Sequence, residues 1–247
     1  MLYLATTVSR QLVVLIDPLM DIKIEERMIS AIFDFDGVLV DSRPMIGICL
    51  AETFHEFGID KPSQFELSNL IGPPLEVGIS RFLTQRGLNL EVLTAIMTKF
   101  REGYAAKSIK NTFLFPGVRE MLEDLYIKKI PMFIATSKPR YLTIPLVEEL
   151  KIDEYFGIIQ APTSDGDEDK TETLRKLVYA LSDTESLNSG RIFMIGDRDA
   201  DIRAAQNNNV ESIGVLWGYG TQDELLLAKP NYLAKTPNEV LQILIVE

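Results

Sequence analysis

The hydrophobic positions of this chain form short continuous runs that alternate with amphipathic stretches. The first run, MISAIF, is short and entirely apolar apart from one serine, which is typical of a strand buried on both faces. From residue 113 onward, similar runs alternate with segments of helical periodicity. The later runs that predict strands are IPMFIA, GIIQ, RIFMIG, SIGVLW and NYLA. This alternation predicts an α/β protein with a doubly wound parallel sheet.

Residues 43–112 interrupt that alternation, because they carry helical patterns and no β-rich run. The segment opens with the amphipathic stretch PMIGICLAETFHEFG, which has Pro44 near its start and Gly58 just past its end. We therefore expect an inserted helical cap at residues 43–112. The catalytic core is then expected at residues 28–42 and 113–247.

Residues 1–27 precede the first predicted strand, and Met28 stands directly before it. We interpret them as an N-terminal extension outside the functional unit. They are either an added strand or helix, or the product of a start codon assigned too early, and the sequence leaves both open.

Charge and cysteine content restrict the partners and the compartment. The 247 residues carry a formal net charge of −11, which disfavours a nucleic acid polymer as partner, because such binding requires clustered Lys and Arg. The chain contains one cysteine, Cys49, so an internal disulfide is impossible and a cytoplasmic location is expected. No apolar stretch reaches the roughly 18 residues needed to span a membrane.

Polar residues cluster where the predicted strands end. In doubly wound sheets the active crevice lies at the carboxyl ends of the strands, so these residues are expected to meet there. They are Asp34, Asp36 and Gly37 after the first strand; Thr136, Ser137 and Lys138 after IPMFIA; Asp197, Arg198, Asp199 and Asp201 after RIFMIG; and Lys170 before the helix that follows GIIQ.

Several carboxylates at one edge repel each other and call for a cation. Hard oxygen ligands without His or Cys suit Mg²⁺, which prefers one or two carboxylates together with water and phosphate. Asp34 and Asp197 can supply the carboxylates, and the backbone carbonyl of Asp36 can supply a further oxygen.

The same residues suit phosphoryl transfer. Asp34 is a candidate nucleophile that forms an aspartyl-phosphate, and Asp36 is a candidate general acid and base. Gly37 allows a sharp turn close to the substrate. Thr136, the backbone amides after it and Lys170 can hold the phosphoryl oxygens as their charge changes.

The stretches FDFDGVLVDS, FIATSKP, DKTETLRKL and MIGDRDADI resemble, in order, the four motifs of the haloacid dehalogenase (HAD) superfamily. The resemblance covers about residues 28–247, and residues 43–112 resemble its C1 type of cap. Within the superfamily the chain is most similar to the branch of phosphoglycolate phosphatases and 5′-nucleotidase-like phosphatases. The resemblance implies an HAD-like Rossmannoid core, Mg²⁺ and a small phosphorylated metabolite, in a monomer or homodimer.

The resemblance also implies a role for each motif residue. Asp34 would be the nucleophile and a metal ligand, and Asp36 the general acid and base and a ligand through its carbonyl. The phosphate would be bound by Thr136, the Ser137 amide and Lys170, while Asp197 would bind the metal with support from Asp201. The family often has Asn where this chain has Ser137.

Other residues near these motifs have a structural interpretation beside a functional one. Asp41 and Ser42 are expected at a hinge or a helix N-cap. Arg43 and Arg81 are either solvated or contacts for a second anionic group of the substrate. Trp217 and Tyr219 are expected to pack, or one of them to lie near the crevice. The rigid loop of Gly72, Pro73 and Pro74 is a candidate for substrate selection.

Two other functions use similar residues. A phosphomutase of the β-phosphoglucomutase type shares the core and the cap, but the cap has no clear sugar-reading signature. A phospho-accepting signalling or binding module also uses carboxylates, Mg²⁺, a hydroxyl and a Lys, but it lacks a large helical insertion. The leading interpretation is a Mg²⁺-dependent phosphomonoesterase. Phosphoglycolate, a nucleoside monophosphate and a sugar phosphate all remain open as substrates.

Overall fold

The structure is a computed structural model that describes residues 29–71, 75–164, 168–182 and 190–246. Strands and helices alternate along most of these residues. The strands are β1 (Ile29–Phe33), β2 (Val40–Asp41), β3 (Phe113–Leu114), β4 (Met132–Ala135), β5 (Phe156–Gln160), β6 (Arg191–Gly196), β7 (Glu211–Val215) and β8 (Tyr232–Ala234). The α-helices are α1 (Arg43–Glu56), α2 (Gln64–Leu70), α3 (Leu75–Gln85), α4 (Leu93–Asn111), α5 (Val118–Ile127), α6 (Arg140–Glu149), α7 (Lys170–Ser182), α8 (Asp199–Asn207), α9 (Gln222–Ala228) and α10 (Pro237–Val246).

Six parallel strands form the central sheet, in the order β5-β4-β1-β6-β7-β8. Successive side chains of a strand point in opposite directions, so strands with consecutive apolar residues place apolar side chains on both faces of the sheet. On β1, Ala31 and Phe33 belong to the larger hydrophobic cluster, and Ile32 belongs to the cluster on the other side. The predicted doubly wound α/β fold is confirmed.

The strand order reverses its direction at β1. From β1 the chain builds β4 and β5 on one side and then β6, β7 and β8 on the other, so the switch point lies beside β1. Phe33 is in register with Ile134 of β4 and with Ile195 of β6. The residues that follow these three therefore emerge together at the carboxyl edge of the sheet.

The four helices α1–α4, called the helical insertion below, have a hydrophobic cluster of their own. Its largest buried side chains include Phe54 and Phe82, whose rings stack at a centroid distance of 4.9 Å. The chain enters the helical insertion through β2 and leaves it through β3, and these two short strands pair antiparallel with Val40 opposite Leu114. Two-residue strands are too short for a hydrophobic period, and the sequence did not predict them.

In the residues that the structure describes, no helix has both the length and the apolar composition needed to cross a bilayer. The predicted extension at residues 1–27 and the predicted selection loop at residues 72–74 lie outside the described residues.

The stacked pair in the helical insertion predicts a large effect on stability. Phe54→Ala should lower the free energy of unfolding by about 3–5 kcal/mol, because Phe54 is fully buried and its removal leaves a cavity. Denaturant titration of the purified proteins measures the change. Phe65→Ala is the matched control, since Phe65 is 76% exposed on α2 and should change stability by no more than about 0.5 kcal/mol. Equal effects of the two substitutions would contradict the burial of Phe54 in the core of the helical insertion.

Candidate active site

Asp34 is the first residue after β1 and lies at the carboxyl edge of the sheet. Its backbone N–H donates to the Ile195 carbonyl at 2.9 Å, which continues the pairing of β1 with β6. Its Oδ1 atom accepts a hydrogen bond of 2.7 Å from the Phe35 amide. The same oxygen is 2.6 Å from Nζ of Lys170, so the Phe35 amide and Lys170 both hold this oxygen in place.

Lys170 begins α7 and reaches back to the sheet edge. Besides Asp34, its Nζ contacts Oδ1 of Asp201 at 3.0 Å and donates to the Ala135 carbonyl at 3.1 Å. Burial by itself would lower the pKa of this ammonium group. The carboxylates of Asp201 and Asp34 outweigh burial and hold the pKa above its ordinary value, so Lys170 stays charged.

The carboxylates of Asp34, Asp197 and Asp201 form a buried acidic cluster. One oxygen atom of each lies within 4.8 Å of the others. Burial raises the pKa of Asp197 to about 8, and the neighbouring carboxylates of Asp201 and Asp34 add to the rise. Burial also raises the pKa of Asp34 to about 6, although Lys170 opposes it. Without a further cation, this arrangement of negative charge is unfavourable.

Backbone packs closely around Asp197. Gly37 has a positive φ of 88°, and a Cβ atom there would overlap the Asp197 carboxylate. A Cβ atom on Gly218 would overlap the Cβ of Asp197. The amide of Tyr219 donates to Asp197 Oδ2 at 2.6 Å. Glycine is therefore required at two positions for backbone to approach this carboxylate.

Thr136 and Ser137 follow β4 at the same edge. Thr136 is buried, and its amide donates to the Gln160 carbonyl at 3.1 Å, which extends the pairing of β4 with β5. Its Oγ1 accepts a hydrogen bond of 3.1 Å from the Lys138 amide. Ser137 is exposed. The hydroxyl of Thr136 is thus oriented by the loop that it belongs to.

Asp36 lies two residues beyond Asp34, but its carboxylate has a different set of partners. Oδ1 accepts a hydrogen bond of 2.7 Å from the Ser42 hydroxyl. Nζ of Lys138 contacts Oδ2 at 3.1 Å and Oδ1 at 3.3 Å. The two neighbouring aspartates are therefore each paired with a different lysine, Asp34 with Lys170 and Asp36 with Lys138.

Residues 31–215 match the family described as "Haloacid dehalogenase-like hydrolase", which covers the sheet from β1 to β7 and the helical insertion. The protein belongs to this hydrolase family. The family resemblance inferred from the four motifs is thereby confirmed.

Individual HAD relatives agree with this assignment. A 5′-nucleotidase from Pseudomonas aeruginosa is 30% identical over 215 residues, which is 87% of this chain and 95% of that protein. A phosphoglycolate phosphatase from Vibrio parahaemolyticus is 26% identical over 219 residues, with the same two shares covered. A haloacid dehalogenase-like hydrolase from Streptococcus pneumoniae has a similar structure, with a TM-score of 0.76 and 29% identity, covering 87% of this chain and 98% of that one. Phosphatase-named relatives support the same class of enzyme here, a phosphoric monoester hydrolase.

The sequence assigned no chemical role to three residues around Asp36, although it placed Lys138 at the sheet edge and left Tyr219 either to packing or to a place near the crevice. Lys138 is buried and contacts Asp36, and Tyr104 of α4 accepts a hydrogen bond of 2.8 Å from Lys138 Nζ. The hydroxyl of Tyr219 lies 3.0 Å from the Ser42 hydroxyl and accepts a hydrogen bond of 2.9 Å from the Ser42 amide. A signal existed for Lys138, because it follows Thr136 by two residues at a strand end. Nothing local in the sequence connects Tyr104 or Tyr219 with Asp36.

The expectations for the residues before α1 need correction in one respect. Ser42 occupies the N-cap position, but its hydroxyl donates to Asp36 instead of accepting from an amide of α1. Asp41 takes part of that role, since its Oδ1 accepts from the Arg43 amide at 3.2 Å. Arg43 pairs with Asp41 at 3.0 Å and lies over the Tyr219 ring.

The acidic cluster fits a divalent cation. Its donors are carboxylate oxygens, which suit Mg²⁺. Oδ1 of Asp197 is buried and accepts no hydrogen bond from the described residues, so an oxygen ligand is free at this point. Three carboxylates around one ammonium group also leave an excess of negative charge that a cation would balance.

Cation binding should depend on pH in a defined direction. The pKa of Asp197 in the metal-free folded protein is about 8, above the ordinary 3.8, so the folded state holds a proton that the unfolded chain has lost. Stability of the metal-free protein should therefore fall as pH rises toward 8. Mg²⁺ should raise the melting temperature more at pH 8 than at pH 6. At pH 8 a smaller fraction of the molecules carries a proton on Asp197, so Mg²⁺ has fewer protons to displace.

Thermal melting with EDTA or with Mg²⁺ at the two pH values measures this difference. Asp197→Asn should remove the Mg²⁺-induced rise and stabilise the metal-free protein at pH 8 by about 1–3 kcal/mol, because it removes a buried charge. Asp153→Asn, at an exposed position, is the control and should behave like the wild type. A Mg²⁺ effect that is the same at both pH values, or that survives in Asp197→Asn, would contradict the assignment of Asp197.

Proposed function

We propose that this HAD hydrolase is a Mg²⁺-dependent phosphomonoesterase that acts through an aspartyl-phosphate on Asp34. The observation that carries the proposal is the separate pairing of two aspartates that lie two residues apart. Asp34 is fixed by Lys170 beside the acidic cluster, and Asp36 is held by Lys138 and Ser42. A nucleophile and a proton donor need this kind of division, because each must keep its own position.

Mg²⁺ would be held by the carboxylates of Asp34 and Asp197 and the carbonyl oxygen of Asp36. When bound, it would neutralise phosphate charge, so that a carboxylate can approach a phosphate dianion. Lys170 and the Thr136 hydroxyl would bind the phosphoryl oxygens, with the Ser137 amide and the backbone at Gly37 contributing to the same site. Asp201 contacts Lys170 and the Arg198 amide, so we assign it the support of Lys170.

The chemistry proceeds in two steps. In the first, an Asp34 oxygen bonds to phosphorus, the bond from phosphorus to the ester oxygen breaks, and Asp36 gives its proton to the departing oxygen. In the second, a water oxygen bonds to phosphorus, Asp36 takes a proton from that water, and the bond from phosphorus to Asp34 breaks. The products are the alcohol and inorganic phosphate, and both aspartates return to their initial states.

The proposed substrates are small soluble phosphate esters, with phosphoglycolate and nucleoside monophosphates first among them. Relatives named for these activities, at 26% and 30% identity, support this choice. We further propose that residues 43–112 act as a cap over the sheet edge. We also propose that the protein is cytoplasmic and is a monomer or homodimer. The net charge of −11 supports a small substrate over a nucleic acid polymer or a membrane surface.

Asp34→Asn should lower the turnover of every substrate at least about a thousandfold, because the amide cannot form the phosphoenzyme. Phosphate release from phosphoglycolate, nucleoside 5′-monophosphates and sugar phosphates, with Mg²⁺ and with EDTA, measures this loss. Asp199→Asn is the matched control, since the Asp199 carboxylate pairs with Arg203 on the surface of α8 and should be dispensable.

Two outcomes would contradict the proposal. One is substantial phosphate release by Asp34→Asn. The other is a wild-type protein that releases no phosphate from any ester and instead keeps a stable phosphoenzyme, which would favour a mutase or a phospho-accepting module.

A further inference from the structure

Lys138 is a second buried lysine at the sheet edge, and the proposed chemistry does not yet use it. Its side chain is 6% exposed. Lys170 already serves Asp34 and the phosphate, so a second buried ammonium group needs its own explanation. Taking such a charge out of water is costly unless strong partners replace the water.

The partners of Lys138 come from two parts of the molecule. Nζ contacts both carboxylate oxygens of Asp36, at 3.1 and 3.3 Å, and donates to the Tyr104 hydroxyl at 2.8 Å. Nζ also lies 4.7 Å from the centre of the Tyr104 ring. Tyr104 belongs to α4 of the helical insertion, whereas Lys138 and Asp36 belong to loops of the sheet.

The backbone of Lys138 is held firmly. Its amide donates to Thr136 Oγ1 at 3.1 Å, and its carbonyl accepts from Thr143 Oγ1 at 3.1 Å. Tyr104 is also fixed, because it is 2% exposed and its ring stacks on Phe100. The ammonium group therefore stands between two rigid supports, and the Asp36 carboxylate is oriented by it.

The Ser42 hydroxyl donates to Oδ1 of the same carboxylate at 2.7 Å, and Ser42 directly precedes α1. Asp36 thus depends on the first helix of the insertion through Ser42 and on its last helix through Lys138 and Tyr104. The phosphate-binding lysine has no such connection among its described contacts, since Lys170 contacts only residues of the core.

We propose that Lys138 is a positioning residue for the Asp36 carboxylate, and that Tyr104 is its anchor on the helical insertion. Proton transfer by Asp36 is then effective only while α4 packs against the loop after β4. This inference rests on the proposed phosphomonoesterase function and assigns two residues that it does not require.

Substrates with different leaving groups should respond differently to a misplaced Asp36. An alkyl phosphate releases an alkoxide, which must receive a proton from Asp36 as the bond to phosphorus breaks. p-Nitrophenyl phosphate releases a p-nitrophenolate, which is stable without a proton. Attack of water on the phosphoenzyme requires Asp36 as the base with either substrate. A misplaced Asp36 therefore slows the first step only for the alkyl ester and slows the second step for both.

Lys138→Met should slow formation of the phosphoenzyme from an alkyl phosphate by roughly a hundredfold, the size of a lost general acid. With p-nitrophenyl phosphate, the variant should release a rapid burst of p-nitrophenolate, close to one equivalent per site, followed by slow turnover. Rapid-mixing kinetics with both substrates, each saturating and with Mg²⁺ present, measure the two phases. Tyr104→Phe removes one oxygen and keeps the ring, and it should change both quantities in the same direction, by roughly tenfold.

Matched controls remove the same chemical groups at exposed positions. Lys99→Met removes an exposed lysine of α4 that pairs with Glu56, and Tyr126→Phe removes the hydroxyl of an exposed tyrosine on α5. Both should keep wild-type values for both substrates. If Lys138→Met does not fold, as judged by its melting curve, Tyr104→Phe carries the test.

The inference is overturned if the folded variants lose the same factor with both substrates and show no burst, or if neither substrate is affected. Failure of the underlying function would look different. The wild-type protein itself would then release neither phosphate nor p-nitrophenolate, or Asp34→Asn would remain as active as the wild type.

Discussion

The arrangement of carboxylates in the site depends on the ammonium group of Lys170. It lies between Asp34 and Asp201, at 2.6 and 3.0 Å, and it lets carboxylates from β1 and α8 share one buried space. Desolvation still penalises Asp197, whose pKa rises to about 8. The negative charge buried in the acidic cluster therefore exceeds the positive charge of Lys170. A bound divalent cation would balance this excess and would also offset the charge of a phosphate dianion, which one lysine cannot do.

The switch point at β1 explains why these charges meet at all. Phe33 is in register with both Ile134 and Ile195, so the next residues of three strands emerge at one edge. Residues that reach the site because they directly follow a strand were predictable from sequence, since each of them stands at the end of an apolar run. They include Asp34, Thr136 and Asp197. The strands themselves were predictable because burial on both faces demands continuous apolar residues.

The remainder depends on packing between elements that are distant in sequence. Tyr104 is 34 residues from Lys138, and Tyr219 is 177 residues from Ser42. Neither tyrosine differs locally from one that only fills a core, and each acquires its role when helices or loops pack around it. Lys138 is an intermediate case. Its place after a strand end was visible, but its burial depends on α4, whose position no motif encodes.

The helical insertion has one covalent connection to the sheet at each end, and the pairing of Val40 with Leu114 joins these two connections side by side. The contact of Tyr104 with Lys138 is a further link between the insertion and the core, whereas the described contacts of Lys170 are with residues of the core. If the insertion changes position, we expect the orientation of the Asp36 carboxylate to change with it, while the contacts of Lys170 with Asp34 and Asp201 persist. In the proposed mechanism, the lysine beside the nucleophile is therefore supported by the core, whereas the residue that transfers protons is supported by the core and the insertion together.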